Sequence, residues 1–150
     1  MRTALGLFCA LLTVGLLAAA DDDSAKELKR LDGVWIMIAG EKDGQKLPEE
    51  NIKQSKITWK GKDVTVETPH QSKEPIKATM LKIDPTKKPR EMDWTRANGP
   101  DAGKPMLAIY EFLGDDEYRI IFAPAGKDRP KEFSTKAGSG HMMHTWKRMK

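Results

Sequence analysis

From Gly33 to the C-terminus, apolar residues recur at every second position of this chain and not at the three- and four-residue spacing of a helix. Successive side chains of a strand point to opposite faces, so the alternation predicts strands with one apolar and one polar face. Turn residues, chiefly Gly, Pro and Asp, separate eight predicted strands: 34–39, 56–60, 63–68, 76–83, 90–96, 106–113, 117–123 and 141–148.

Eight short strands joined in sequence order favour one closed architecture. Closure removes the exposed edge strands that an open sheet would keep, so we predict an antiparallel up-and-down barrel. An open or two-sheet β fold is the alternative. A short helix should precede the first strand, because Ser24 and Glu27 have the spacing of a capping box and Leu28 and Leu31 form one apolar edge. The predicted fold class is therefore all-β with a short N-terminal helix.

The N-terminal residues have the pattern of a secretory signal. Arg2 precedes an apolar run, 4–19, which ends in small residues that resemble a signal-peptidase site. The run is shorter than the roughly 20 apolar residues that a bilayer crossing needs. We predict a signal peptide at 1–20 cleaved after Ala20, one domain at 21–150, and a secreted or periplasmic protein with no transmembrane segment after cleavage.

Composition narrows the function classes. The single cysteine, Cys9, lies in the predicted signal peptide, so the mature domain has no disulfide and no thiolate chemistry. The 26 Lys and Arg and 22 Asp and Glu give a net charge of +4 without a long basic run. This mild charge, together with the predicted export, argues against a nucleic-acid partner.

Neither catalysis nor metal binding is expected. His141 and His144 are three residues apart and would point to opposite faces of a strand, so they cannot share one ion. With His70, we expect them to be surface or rim histidines. Ser139 lies close to His141 in sequence, but no Gly-x-Ser-x-Gly turn exposes a nucleophile. We predict no catalytic residue, no metal ligand and no cofactor, with a hydrolase-like enzyme as an alternative.

The inward-facing positions carry large apolar side chains. A barrel of eight strands is just wide enough either to be filled by side chains or to hold one small ligand, and both outcomes fit the sequence. The candidate ligand-binding residues are Met37, Trp59, Met80, Trp94, Tyr110, Phe122 and Met142.

The connection before the last strand contains a compact motif. Arg129, Pro130, Glu132 and Phe133 combine a stiff proline, an aromatic anchor and two opposite charges that can reach one another. We interpret Arg129, Glu132 and Phe133 as a loop latch that seals one barrel end, with contact to a ligand as the alternative.

The start of the first strand resembles a known signature. Gly33-x-Trp35, placed just after a short helix, is similar to the motif of lipocalins and related calycins. In that family the Trp closes one end of the barrel, and a basic side chain near the end of the last strand packs across its indole. The resemblance implies barrel closure by Gly33, Trp35 and Arg148, with Lys147 as the alternative cation.

A closer resemblance covers most of the chain. It is to an uncharacterised lipocalin-like domain family found mainly in planctomycete bacteria, which has no established activity. Members often have a cysteine on the strand after the Tyr-Glu block, where this chain has Ile120, Ile121 and Phe122. The resemblance implies a fold and a compartment but no chemistry. Six blocks carry it, at 31–35, 43–48, 83–89, 109–111, 129–134 and 146–148.

The sequence therefore predicts an exported, non-enzymatic binding protein. Its partner would be a small hydrophobic molecule held in the barrel, or an envelope partner that docks through the long loops. A structural or interaction domain with a filled barrel and no ligand is the alternative.

Overall fold

The structure, a computed structural model, describes the backbone of residues 14–150 and the side chains of residues 21–150. This part of the chain folds into a single nine-stranded sheet with two helices. The elements of this part of the chain are, in order, α1 Val14–Leu31, β1 Gly33–Lys42, β2 Gln45–Lys46, α2 Glu49–Lys53, β3 Lys56–Lys60, β4 Asp63–Glu67, β5 Ile76–Asp84, β6 Arg90–Arg96, β7 Pro105–Phe112, β8 Glu117–Phe122 and β9 Met142–Arg148.

Eight of these strands close a barrel. β1 and β3 to β9 pair antiparallel in sequence order, and β1 also pairs with β9, with Trp35 opposite Arg148 and Lys42 opposite Met142. The two-residue β2 only folds back on the end of β1. The predicted antiparallel, up-and-down, eight-stranded lipocalin-like barrel, preceded by a helix, is thus the observed architecture.

The strand boundaries follow the alternation closely except in β1. All other predicted strands begin and end within one residue of the observed ones. β1 was predicted to end at Ala39, but it continues to Lys42. A β-bulge between Met37 and Ala39 leaves both Ile38 and Ala39 on the outside, so the alternation is shifted and Gly40 faces inward. A second bulge, between Met80 and Lys82, leaves Leu81 about half exposed on the outside.

Two helical features differ from the prediction. The described part of α1 extends from Val14 to Leu31, so Ser24 lies inside the helix and is not its N-cap. α2 was not predicted, although Pro48 followed by Glu49 and Glu50 is a known helix-start pattern. The predicted signal peptide, 1–20, lies outside the residues whose side chains the structure describes. Within residues 14–150, no helix has both the length and the apolar character needed to cross a bilayer.

Helix α1 lies across one end of the barrel. The Ser24 hydroxyl donates a hydrogen bond to the Ile83 carbonyl at 3.0 Å. The Tyr110 hydroxyl donates to the Glu27 carboxylate at 2.7 Å. Leu28 packs against the core beside these contacts, so this end of the barrel is covered.

Aromatic side chains fill most of the interior. The largest of them are almost completely buried, and Trp59 Nε1 donates a hydrogen bond to the Tyr118 hydroxyl at 3.0 Å. Burial raises the pKa of Tyr118, so its hydroxyl stays protonated and can accept this bond. The barrel is therefore a packed core over much of its length. The five large buried aromatics are Trp35, Trp59, Tyr110, Tyr118 and Trp146.

Candidate functional site

At the covered end of the barrel, an arginine guanidinium packs over a tryptophan ring. The Arg148 guanidinium lies 4.1 Å from the centroid of the Trp35 ring. It also donates hydrogen bonds to the carbonyls of Asp32 at 2.8 Å and Arg30 at 2.6 Å. Gly33 has φ +119°, and a Cβ there would lie 3.2 Å from Arg148 Nη1. Gly33, Trp35 and Arg148 thus form one closing unit at this end.

Lys147, the alternative cation, points away from this unit. It pairs with Glu117 at 3.6 Å, and its side chain is 53% exposed. Successive residues of a strand face opposite sides, so Arg148 and not Lys147 reaches Trp35.

A cavity opens at the opposite end. The centre of a water-sized sphere can occupy about 50 Å³ of this cavity, and the cavity wall is mostly apolar. Four predicted ligand-binding residues line it: Met37, Trp94, Phe122 and Met142. We call it the mouth cavity, since it lies where β1, β6 and β8 end and where β9 begins.

The other three candidates lie elsewhere. Trp59, Met80 and Tyr110 are buried in the filled part of the barrel and do not line the mouth cavity. Alternation identifies which side chains face inward, but it does not give their height along the barrel axis. The position along the barrel axis decides whether an inward-facing residue belongs to the packed core or lines the cavity.

Buried polar atoms without partners gather around this cavity. Five residues of its wall carry such atoms: Thr68 Oγ1, both ring nitrogens of His70, Trp94 Nε1, His144 Nε2 and Trp146 Nε1. Leaving one buried polar group without a hydrogen bond costs about 1–3 kcal/mol, and native proteins have only a few. These atoms are concentrated at one cavity, at the end of the barrel opposite α1.

His144 is the main departure from the sequence prediction. It was expected at the surface or rim, but it is only 9% exposed and faces inward between Met142 and Trp146. Burial, together with the nearby charge of Arg96, lowers its pKa to about 4. The imidazole is therefore neutral near pH 7. The alternation along β9 was the signal that could have placed it inside.

The other two histidines lie in two different places, one in the cavity wall and one on the outside of the barrel. His70 lies on the loop between β4 and β5 and joins His144 in the cavity wall. His141 lies outside, in a surface cleft with Ser139 and Arg129. Within the described chain, no three His, Cys, Asp or Glu side chains are grouped so that they could hold a metal ion.

The hydroxyls near these histidines are engaged elsewhere. Ser55 Oγ, in the mouth-cavity wall, donates to the Asn51 carbonyl at 2.7 Å. Ser139 Oγ accepts from the backbone N–H of His141 at 3.2 Å, not from its imidazole. A serine nucleophile needs a histidine within hydrogen-bond reach, and neither serine has that arrangement.

The predicted latch binds the barrel wall, not its end. Arg129 pairs with Asp93 at 2.6 Å and donates to the Ala108 carbonyl at 2.7 Å. The expected partner, Glu132, instead binds Lys136 at 2.8 Å on the exposed side. Phe133 lies under the Arg119 guanidinium, 4.4 Å from the ring centroid. Asp93 and Arg119 point outward, so the connection covers the outer face of β6 to β8.

Buried isoleucines on that outer face support this position. Ile109 and Ile121 are paired across β7 and β8, and each is at most 1% exposed. Neither belongs to the interior core. The long connection shields a second, smaller apolar layer on the outside of the barrel.

No family model, curated protein or solved structure matches the chain. The resemblance to the planctomycete family therefore stays a prediction.

Proposed function

We propose that this protein binds a small, largely apolar molecule in the mouth cavity. The observation that carries the proposal is the combination of an apolar wall with clustered, unpartnered polar atoms from Thr68, His70 and His144. Ligand sites in proteins typically pair a mostly apolar lining with a few converging polar groups that fix orientation. The opposite end, covered by α1, offers no comparable arrangement among the described residues.

The size of the cavity limits what enters without movement. A single water needs roughly 10–15 Å³ of such volume, so about 50 Å³ holds only a few waters. Three cavity residues, Met37, Met106 and Met142, are methionines. Unbranched, flexible methionine side chains adapt their rotamers to an occupant. We propose that they move aside when a ligand of a few carbon atoms enters.

Binding is better supported here than catalysis. An imidazole that acts as a base is normally oriented by a second hydrogen-bonded group. His70 has no partner at either nitrogen, and His144 has none at Nε2. Each of these two imidazoles can therefore form a hydrogen bond with an oxygen atom of a ligand.

The methionines allow a direct test. We would label their methyl groups with carbon-13 and titrate the protein with hexan-1-ol by NMR. Ligand in the mouth cavity should shift the resonances of Met37, Met106 and Met142. Met92, which is buried but does not line the cavity, and the exposed Met149 serve as internal controls. Absence of any selective shift would contradict the proposal and favour a filled barrel without ligand.

A pair of variants on β5 tests whether the ligand occupies the mouth cavity. Ala78 lines the cavity, whereas its neighbour Thr79 points outward and is exposed. Ala78→Leu should fill the cavity and abolish the methionine shifts. Thr79→Leu adds a similar bulk outside and should leave them intact. Circular dichroism would show that both variants remain folded.

We also propose that the protein acts after export. The support is the N-terminal sequence: Arg2, the apolar run 4–19 and the small residues before Asp21. N-terminal sequencing of protein recovered from the envelope or medium should begin at Asp21. Recovery of the uncleaved chain in the cytosol would contradict export without affecting the binding proposal.

A further inference from the structure

One charged side chain belongs to the mouth-cavity wall. Arg96 is the last residue of β6 and shares the inward-facing positions of Met92 and Trp94. Within residues 14–150, the cavity wall contains no other Lys, Arg, Asp or Glu. A cation on the apolar side of a strand requires an explanation, because such positions normally hold core residues.

Arg96 also differs from the other arginines of the barrel. Arg30, Arg90, Arg119, Arg129 and Arg148 each have a carboxylate within 4.0 Å. In the part of the chain that the structure describes, none of the ion pairs within that distance includes Arg96. Its charge is therefore uncompensated, although it is partly buried beside an apolar cavity.

One neighbour of Arg96 is a buried, neutral imidazole with an unpartnered nitrogen. Arg96 is close enough to His144 for its charge to lower the imidazole pKa. His144 is about nine-tenths buried, and its Nε2 has no hydrogen-bond partner. A neutral imidazole donates from one nitrogen. The cavity thus offers one full positive charge together with several unpartnered buried polar groups, of which His144 lies near that charge.

We infer that the ligand of the mouth cavity carries a single carboxylate, which pairs with Arg96 while its apolar part lies among the methionines. The inference rests on the proposed function and specifies its substrate class: small amphiphilic monocarboxylic acids. The planar guanidinium matches a carboxylate through two parallel hydrogen bonds. The ligand's negative charge would compensate the only full charge in the wall.

The count of charges favours a carboxylate over a phosphate. One guanidinium balances one negative charge, and the apolar wall offers no second cation. A phosphate monoester carries close to two negative charges near pH 7. Its second charge would be left partly desolvated without a counter-ion, which is costly.

The test compares two ligands that differ only in the head group. Hexanoate and hexan-1-ol have the same carbon number, and the methionine methyl shifts report the affinity of each. Wild-type protein should bind hexanoate about tenfold more tightly or better, because charge-assisted hydrogen bonds are roughly twice as strong as neutral ones. Arg96→Gln should abolish this preference while leaving the affinity for hexan-1-ol within about twofold, since the apolar contacts are unchanged.

Arg90 provides the matched control at the other end of the same strand. It pairs with Glu27 at the covered end and does not line the cavity. Arg90→Gln should keep the preference for hexanoate. Equal binding of both ligands by wild-type protein, or an unchanged preference in Arg96→Gln, would overturn the carboxylate inference while the binding function survives. If neither ligand shifts the cavity methionines, the proposed function itself fails.

Discussion

Arg148 lies over the face of Trp35, with 4.1 Å between the guanidinium carbon and the ring centroid. The two residues are directly opposite each other where the last strand pairs with the first. The contact therefore lies on the seam that closes the barrel. Because Arg148 also donates to the carbonyls of Asp32 and Arg30, it ties this seam to the end of α1.

Removing this cation should weaken the fold. Arg148→Met keeps much of the side-chain volume but loses the cation–π contact and two charge-assisted hydrogen bonds, so we expect a loss of about 2–4 kcal/mol in unfolding free energy. Urea denaturation followed by circular dichroism measures it. Lys147→Met is the control, since an exposed ion pair contributes about 0–1 kcal/mol. Similar losses in both variants would mean that the seam does not depend on Arg148.

Gly33 lies on the same seam, in a backbone conformation that favours glycine. Gly33 has φ +119°, which side chains rarely adopt, and an added Cβ would crowd Arg148. Gly33→Ala should cost about 1–3 kcal/mol, the usual range for a strained backbone position. Gly114→Ala is the control, because its φ is not positive and its Cβ would meet no atom within 4 Å. That variant should be neutral or stabilised by up to about 1 kcal/mol. Equal stability of the two variants would refute the backbone argument.

Much of the fold could be read from the sequence because alternation is a local property. Lys56–Lys60 and Arg90–Arg96 have the predicted bounds, since each lies between turn residues and keeps a strict period of two. The bulge after Met37 could not be predicted in this way. It depends on how β1 pairs with two neighbours, and Gly40 matters there because Leu47 packs against it.

The site could be predicted only in part. Met142 and Phe122 were identified because they are large and apolar on inward-facing positions. His144 and Arg96 were missed, although the same period places them inward, because polar residues were assigned to the surface. The partner of Arg129 could not be predicted either. Its contact with Asp93 joins residues far apart in the chain, whereas Glu132 was suggested by proximity in sequence alone.

The connection that carries Arg129 should contribute to stability from outside the barrel. Arg129→Met leaves the partly buried carboxylate of Asp93 without its cation, leaves Glu91 with Lys82 alone, and removes the hydrogen bond to Ala108. We expect a loss of about 1–3 kcal/mol, below the range for fully buried pairs because the arginine remains partly exposed. Glu132→Gln should change stability by about 0.5 kcal/mol or less. Urea titration compares the two, and a larger effect of Glu132→Gln would support the original pairing.

His144 should make the fold sensitive to mild acid. Its folded pKa is about 4, whereas its ordinary value is 6.5. Between these values the unfolded chain binds a proton that the folded protein does not, so stability falls as pH decreases from 6.5 toward 4. One pKa unit corresponds to about 1.4 kcal/mol, so the full effect is about 3 kcal/mol.

Other groups also titrate in this range, so the variant His144→Gln is needed for comparison. The pH dependence of its unfolding free energy should be shallower than that of wild-type protein by about this amount, as measured by urea denaturation at pH 7, 5.5 and 4.5. Parallel pH profiles of the two proteins would show that His144 is not buried in its neutral form.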